Sequence, residues 1–222
     1  MIRAVIFDVD GTLVDTNDLH AASWADAFRR FGHDVPPDRI RREIGKGGDQ
    51  LMPALLPREA VERQGKDIEA FRKDLFMREY LPRARAFPEV PALFRRVRAA
   101  GRKVVLATSS SAEEAERYKE IAGIADLVDG ATTKDDAERS KPFPDIFRAA
   151  LELLAPVPAE DAVVVGDTPY DAQAAAGAGL RAVGLLCGGF PEGELRAAGF
   201  LALYRDPADL LANCDRSPLA AG

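Results

Sequence analysis

Two carboxylates, Asp8 and Asp10, close the apolar run Ala4-Val5-Ile6-Phe7 in the stretch F-D-V-D-G-T-L-V-D over residues 7–15. Side chains of a strand alternate in direction. Both carboxyls should therefore leave the strand tip together while Val9 packs elsewhere, and Gly11 lets the backbone turn. Converging like charges repel and raise each other's pKa. The pair makes chemical sense if a cation lies between the two groups, or if one is a nucleophile and the other a proton donor. The plain alternative is a pair of aspartates capping a turn.

Further polar groups follow the later apolar runs. Thr108 and Ser109 come after Lys103–Ala107, and Asp167 follows Ala162-Val163-Val164-Val165-Gly166. Asp171 stands one helical turn beyond Asp167, on the same face. Lys141 lies in S-K-P-F-P, where the flanking prolines predict a stiff, extended segment. Each has an ordinary reading alone: a helix cap, an acid at a helix N-terminus, or a solvated lysine. Those readings leave unexplained why all of these residues fall at one edge of one sheet.

The elements that must hold them are legible as periodicity. From Pro82 onward, helix and strand alternate, which implies parallel strands, right-handed crossovers and an α/β fold. Ligands of such sheets bind at the C-terminal strand tips. Expected helices include Val90–Val97, a capped helix opened by Ser111 and Glu114, Phe143–Leu154 and Ala172–Ala178. Leu127-Val128 reads as a short strand, and a further strand is expected around Ala182–Leu186. Between Asp15 and Leu81 no strand signal appears. Trp24, Ala27, Phe28 and Phe31 mark one helix there, Asp38–Ile44 a second, and Leu51–Leu81 a helical stretch broken at Pro53 and Pro57. The residues after Ser217 read as loose.

At 222 residues, with 47% hydrophobic and 30% charged residues, the chain has an ordinary globular composition. A net charge of −6 argues against a nucleic-acid or anionic-membrane partner. No apolar run has transmembrane length, the early aspartates rule out a secretory leader, and a cytoplasmic location is expected. Two cysteines, Cys187 and Cys214, form neither a disulfide framework nor a zinc site.

D-V-D-G-T-L-V-D, the Thr108 strand end, Lys141 in S-K-P-F-P-D and the segment G-D-T-P-Y-D resemble, in order, the four motifs of the haloacid dehalogenase-like superfamily. The helical insert is similar to the cap of the subgroup that includes phosphoglycolate phosphatase and β-phosphoglucomutase. The resemblance implies a Rossmann-like, doubly wound core over residues 1–15 and 84–222, with a small helical cap over 16–83. It implies Asp8 as nucleophile and Mg²⁺ held by Asp8, the Asp10 backbone carbonyl and Asp167, with Asp171 supporting that shell. Asp10 would act as general acid and base, Thr108 and Ser109 would hold phosphoryl oxygens, and Lys141 would neutralise charge. Expected substrate contacts are Gly11, Thr12, His20, Lys46 and Ser109, and His33 is read as a surface residue.

Dehalogenation requires neither Mg²⁺ nor a second aspartate, so phosphate chemistry on a small phosphorylated metabolite, a sugar phosphate or a phosphoglycolate-like acid, is favoured. Water as acceptor makes the chain a phosphatase, and a sugar hydroxyl makes it a phosphosugar mutase. Thr12 points weakly to the first and His20 to the second. A non-catalytic binding domain is the remaining alternative, against which the intact set of polar residues speaks. A monomer or weak homodimer is expected.

Overall fold

The computed structural model describes residues 1–220. The chain runs β1 (Ala4–Phe7), β2 (Val14–Asp15), α1 (Asn17–Arg30), α2 (Pro37–Glu43), α3 (Gly48–Leu55), α4 (Arg58–Leu75), β3 (Arg85–Ala86), α5 (Val90–Ala99) and β4 (Lys103–Ala107). It continues through α6 (Ala112–Ala122), β5 (Gly130–Thr132), α7 (Asp145–Leu153), β6 (Ala162–Gly166), α8 (Pro169–Gly177), β7 (Arg181–Leu185), α9 (Glu192–Ala198), β8 (Leu203–Tyr204) and α10 (Pro207–Ala212).

Six strands form one parallel sheet in the order β5-β4-β1-β6-β7-β8. The first strand is central, with Phe7 level with Leu106 on one side and Val165 on the other. A central parallel strand is covered on both faces, so its apolar run need not alternate with polar residues. Val5 and Phe7 pack with Val104, Leu106, Phe94 and Tyr118 on one face. Ala4 and Ile6 pack with Val105, Val164, Phe147 and Ala174 on the other. This is a doubly wound α/β sheet. The chain leaves β1 toward β4 and β5, then returns on its other side to build β6, β7 and β8. That reversal creates a crevice at the tips of β1, β4 and β6.

Between β2 and β3 the chain is wholly helical, and these two short strands pair antiparallel at the root of the insert. The insert has its own apolar centre, built on Trp24, Phe28, Ile40, Leu51 and Ile68. No helix among the described residues is long and apolar enough to cross a membrane.

Four local expectations are corrected. Ala125–Leu127 form a 3₁₀ turn, and the strand lies at Gly130–Thr132, where Thr132 reaches register with Ala107. Leu127 and Val128 instead pack at the edge of the core. Pro53 lies inside α3 without ending it, because Leu51 and Met52 pull that face into the apolar centre and the helix needs only one more turn. Ser140–Phe143 form a turn around a cis Lys141–Pro142 bond, so the lysine segment is not extended. Pro218–Ala220 form a 3₁₀ turn that buries Leu219.

Candidate active site

The first carboxylate is placed by the sheet itself. The Asp8 amide donates to the Val165 carbonyl at 2.9 Å, extending the ladder one residue past the strand. Beyond it the chain folds back tightly, with the amides of Leu13 and Val14 both donating to the Val9 carbonyl. Gly11, at φ 75°, is the pivot. A Cβ there would lie 2.1 Å from Asn17 Nδ2 and 2.3 Å from Asp167 Oδ2. At the tip of β7, a Cβ on Gly188 would lie 1.8 Å from Asp167 Oδ2. Two glycines thus let backbone close around one carboxylate.

Asp8, Asp167 and Asp171 are buried, and each offers a carboxylate oxygen within 4.8 Å of the others. Lys141, only 1% exposed, pairs with Asp8 and lies 2.7 Å from Asp171 Oδ1. Burial pulls against its charge, but Asp171 and Asp8 outweigh that and hold the ammonium more firmly protonated than usual. The carboxylates are less satisfied. Burial, helped by Asp171 and Asp167 and opposed by Lys141, pushes the Asp8 pKa well up. Burial and the neighbouring Asp171 raise Asp167 to about 7.

The Thr12 hydroxyl lies 2.8 Å from Asp167 Oδ1 and 3.2 Å from Asp8 Oδ2. Asn17 Nδ2 donates to Asp167 Oδ2 at 2.8 Å and to the Gly188 carbonyl at 3.0 Å. Asp171 closes a capping box on α8, where the Thr168 amide and hydroxyl donate to its Oδ2.

Three carboxylates against one ammonium leave two negative charges in a buried space. That is the complement of a hard divalent cation with oxygen ligands.

Asp10 stands apart from this cluster. Its Oδ1 accepts from Thr16 Oγ1 at 2.8 Å and faces His20 Nε2 at 2.7 Å, while Oδ2 accepts from Ser110 Oγ at 2.9 Å and Thr108 Oγ1 at 3.2 Å. Burial would raise its pKa, but the His20 imidazole and these hydroxyls bring it below the usual carboxylate range. The other ring nitrogen of His20, Nδ1, faces the Arg72 guanidinium. The ring stacks on Phe76 at 4.2 Å, in a π-helical turn (Phe76–Tyr80) that continues α4. Arg72 is held in turn by Glu114 Oε1 at 3.2 Å, across from the helical insert to α6.

The structure brings Asp8, Asp10, Lys141, Asp167 and Asp171 to one crevice, with His20 above Asp10. Thr12 and Thr108 are fully buried and turn their hydroxyls onto carboxylates, so neither presents its hydroxyl to the cleft. Gly11 serves the same packing. Ser109 lines the cleft, its buried hydroxyl without a partner among the described residues. Lys46 also lines the cleft, but its ammonium pairs with Glu43 and lies 4.5 Å from the Tyr170 ring centre. His33 is bonded to Gln64 at 2.8 Å, away from the site.

Sequence reading missed Thr16, Asn17, Arg72, Ser110, Glu114 and Tyr118, whose hydroxyl is 3.1 Å from His20 Nε2. Asn17 and Ser110 adjoin the motif residues and were within reach of a closer look. Arg72 and Glu114, 42 positions apart, meet only through the fold.

The family model for haloacid dehalogenase-like hydrolases matches residues 2–179. The chain belongs to this family. It is 31% identical over 216 residues to the phosphorylated carbohydrates phosphatase of Thermotoga maritima, covering 95% of this chain and 97% of that one. It is 26% identical to the pyrophosphatase PpaX of Bacillus cereus, covering 97% and 99%. A crystal structure of a hydrolase from Pseudomonas syringae superposes with a TM-score of 0.84 at 30% identity, over 96% of this chain and 98% of that one. Across the haloacid dehalogenase-like hydrolases a metal ion is typical, in keeping with the acidic triad of this chain.

Proposed function

We propose that this chain is a Mg²⁺-dependent phosphatase of a small phosphorylated metabolite, working through an aspartyl-phosphate. The observation that carries the reading is the division of labour among the buried aspartates. Asp8, Asp167 and Asp171 share one lysine and are short of positive charge, while Asp10 is held separately by its own four partners.

Asp8 and Asp167, with the Asp10 carbonyl and with Asp171 supporting that shell, would hold the ion, which when bound supplies charge neutralisation to the phosphoryl oxygens. Lys141 fixes the Asp8 carboxylate in place through its ion pair and adds a second cation beside the transferring group. In the first half-reaction an Asp8 oxygen bonds to phosphorus as the ester P–O bond breaks, and Asp10 gives its proton to the departing oxygen. The proton that Asp10 gives comes from solvent as substrate binds, and a phosphate dianion beside the carboxyl favours its protonated form. In the second half-reaction Asp10 takes a proton from water, whose oxygen bonds to phosphorus as the Asp8–P bond breaks. His20 and Thr16 keep Asp10 aimed at that position through both halves.

A phosphosugar mutase would use the same groups with a sugar hydroxyl in place of water, and the His20–Asp10 contact is what favours that second reading. Phosphate release from hexose phosphates, phosphoglycolate and β-glucose 1-phosphate, with Mg²⁺ and with chelator, tests both. Metal-dependent free phosphate supports hydrolysis. Isomerised sugar phosphate with little free phosphate supports the mutase, and no turnover with any of them counts against both.

A further inference from the structure

Besides Asp8 and Asp10, the cleft is lined by four cations: Lys46, Arg72 and Lys73 from the helical insert, and Lys134 from the turn after β5. Four cations would suit a substrate with a second anionic group. Each, however, already has a carboxylate of its own. Lys46 pairs with Glu43, Arg72 with Glu114 at 3.2 Å, Lys73 with Glu113 at 3.1 Å and Lys134 with Glu69 at 3.0 Å. Glu69 and Glu114 themselves line the cleft. A carboxylate or second phosphate at the far end of a substrate would meet these acids, or would have to capture a cation and leave its former partner facing a like charge.

Hydroxyl groups meet no such penalty. They donate and accept at once, so a diol can bridge an ammonium and its carboxylate without uncovering either charge. Trp24 adds an aromatic edge to the same wall, giving the mixture of apolar surface and a few placed polar groups that a small neutral ring needs.

We propose that the cleft selects phosphate monoesters whose leaving group is a neutral polyhydroxyl compound of sugar type, that it rejects those carrying a second anion, and that Glu69 is a specificity-determining residue. The proposal rests on the phosphatase reading and narrows it. It separates this chain from its relative named as a pyrophosphatase. It also weighs against the mutase, whose acceptor is a sugar that already carries a phosphate at its far end.

The test is kcat/KM, with Mg²⁺, for glucose 6-phosphate, 2-phosphoglycolate, pyrophosphate and p-nitrophenyl phosphate. The wild type should favour glucose 6-phosphate over both anionic substrates by about tenfold or more. Glu69→Gln, which frees Lys134, should raise the ratio of phosphoglycolate to glucose 6-phosphate several-fold. Lys134→Gln, which uncovers Glu69, should lower that ratio, and opposite movement in the two variants is not what general damage to the fold produces. A wild-type preference for either anionic substrate, or ratios unmoved by both variants, overturns the proposal. Hydrolysis of p-nitrophenyl phosphate, whose leaving group makes little demand on the far wall, tells the two readings apart. If it proceeds while anionic substrates are preferred, only this proposal falls; if nothing is hydrolysed, the phosphatase reading falls and the proposal with it.

Discussion

At the scale of single residues, the two aspartates of the first motif have opposite surroundings and should fail in different ways. Asp8→Asn removes the nucleophile while keeping the side chain's shape, so turnover should vanish while circular dichroism and melting stay close to wild type. Retained activity would reassign the nucleophile. Asp10→Asn should reduce kcat by about 10²–10⁴-fold, the usual worth of a positioned acid–base group. Phosphate should still bind, as isothermal titration can check.

Asn17 offers a subtler case. Its amide orientation is fixed by two acceptors, Asp167 Oδ2 and the Gly188 carbonyl. Asn17→Ala leaves both without their donor in a buried site, at a cost of about 1–3 kcal/mol. It should lower the melting temperature in chelator and weaken Mg²⁺ binding measured by calorimetry; an unchanged affinity would show that Asp167 holds its place without it.

At the scale of elements, Asp8, Thr108 and Asp167 were legible because the tips of parallel strands gather polar groups at one edge. Short apolar runs mark those tips plainly, and the Ser111–Glu114 capping box stands in the structure as read. What the sequence could not place was the use of side chains across elements. Thr108 looked like a phosphate ligand or a cap, and only the packed structure turns its hydroxyl onto Asp10. The strand expected at Leu127-Val128 was displaced to Gly130–Thr132 because register with β4, not local apolarity, decides where pairing occurs. Arg72 carried no signal at all, since its partners come from two other helices.

The contact of α4 with α6 through Arg72 and Glu114 also predicts a pH dependence. Burial opposes ionisation of Glu114, but Arg72, His20 and the Ser111 amide bring its pKa below the ordinary 4.5. A carboxylate with a depressed folded-state pKa contributes stability that is present above the unfolded value and is lost as pH falls through the folded one. Melting temperature should therefore fall below about pH 4.5, and Glu114→Gln should flatten that decline. An identical acid limb in the variant would show that other carboxylates account for it.

At the scale of the whole molecule, the sheet fixes Asp8 and Asp167 while the helical insert supplies His20 and Arg72. The ion pairs Lys73–Glu113 and Lys134–Glu69 run between the insert and the core, beside apolar packing through Leu75, Phe76 and Leu81. Ion pairs at solvent-exposed positions are weak and screened by salt, so raising the ionic strength should loosen the insert over the site. Increased hydrogen exchange in α4 with rising salt, at constant global stability, is the expected outcome; exchange insensitive to salt would assign closure to apolar packing instead.

The central claim is covalent, and its most direct measurement is also covalent. Enzyme mixed with a turned-over phosphate ester and Mg²⁺, quenched in acid within the first turnover and mapped by peptide mass spectrometry, should carry phosphate on Asp8, in the peptide containing residues 4–15. The label should be absent from Asp8→Asn and from enzyme treated with chelator. Phosphate on a different side chain, or turnover with no phosphorylated enzyme at any quench time, would contradict the aspartyl-phosphate account and leave Asp8 as a metal ligand only.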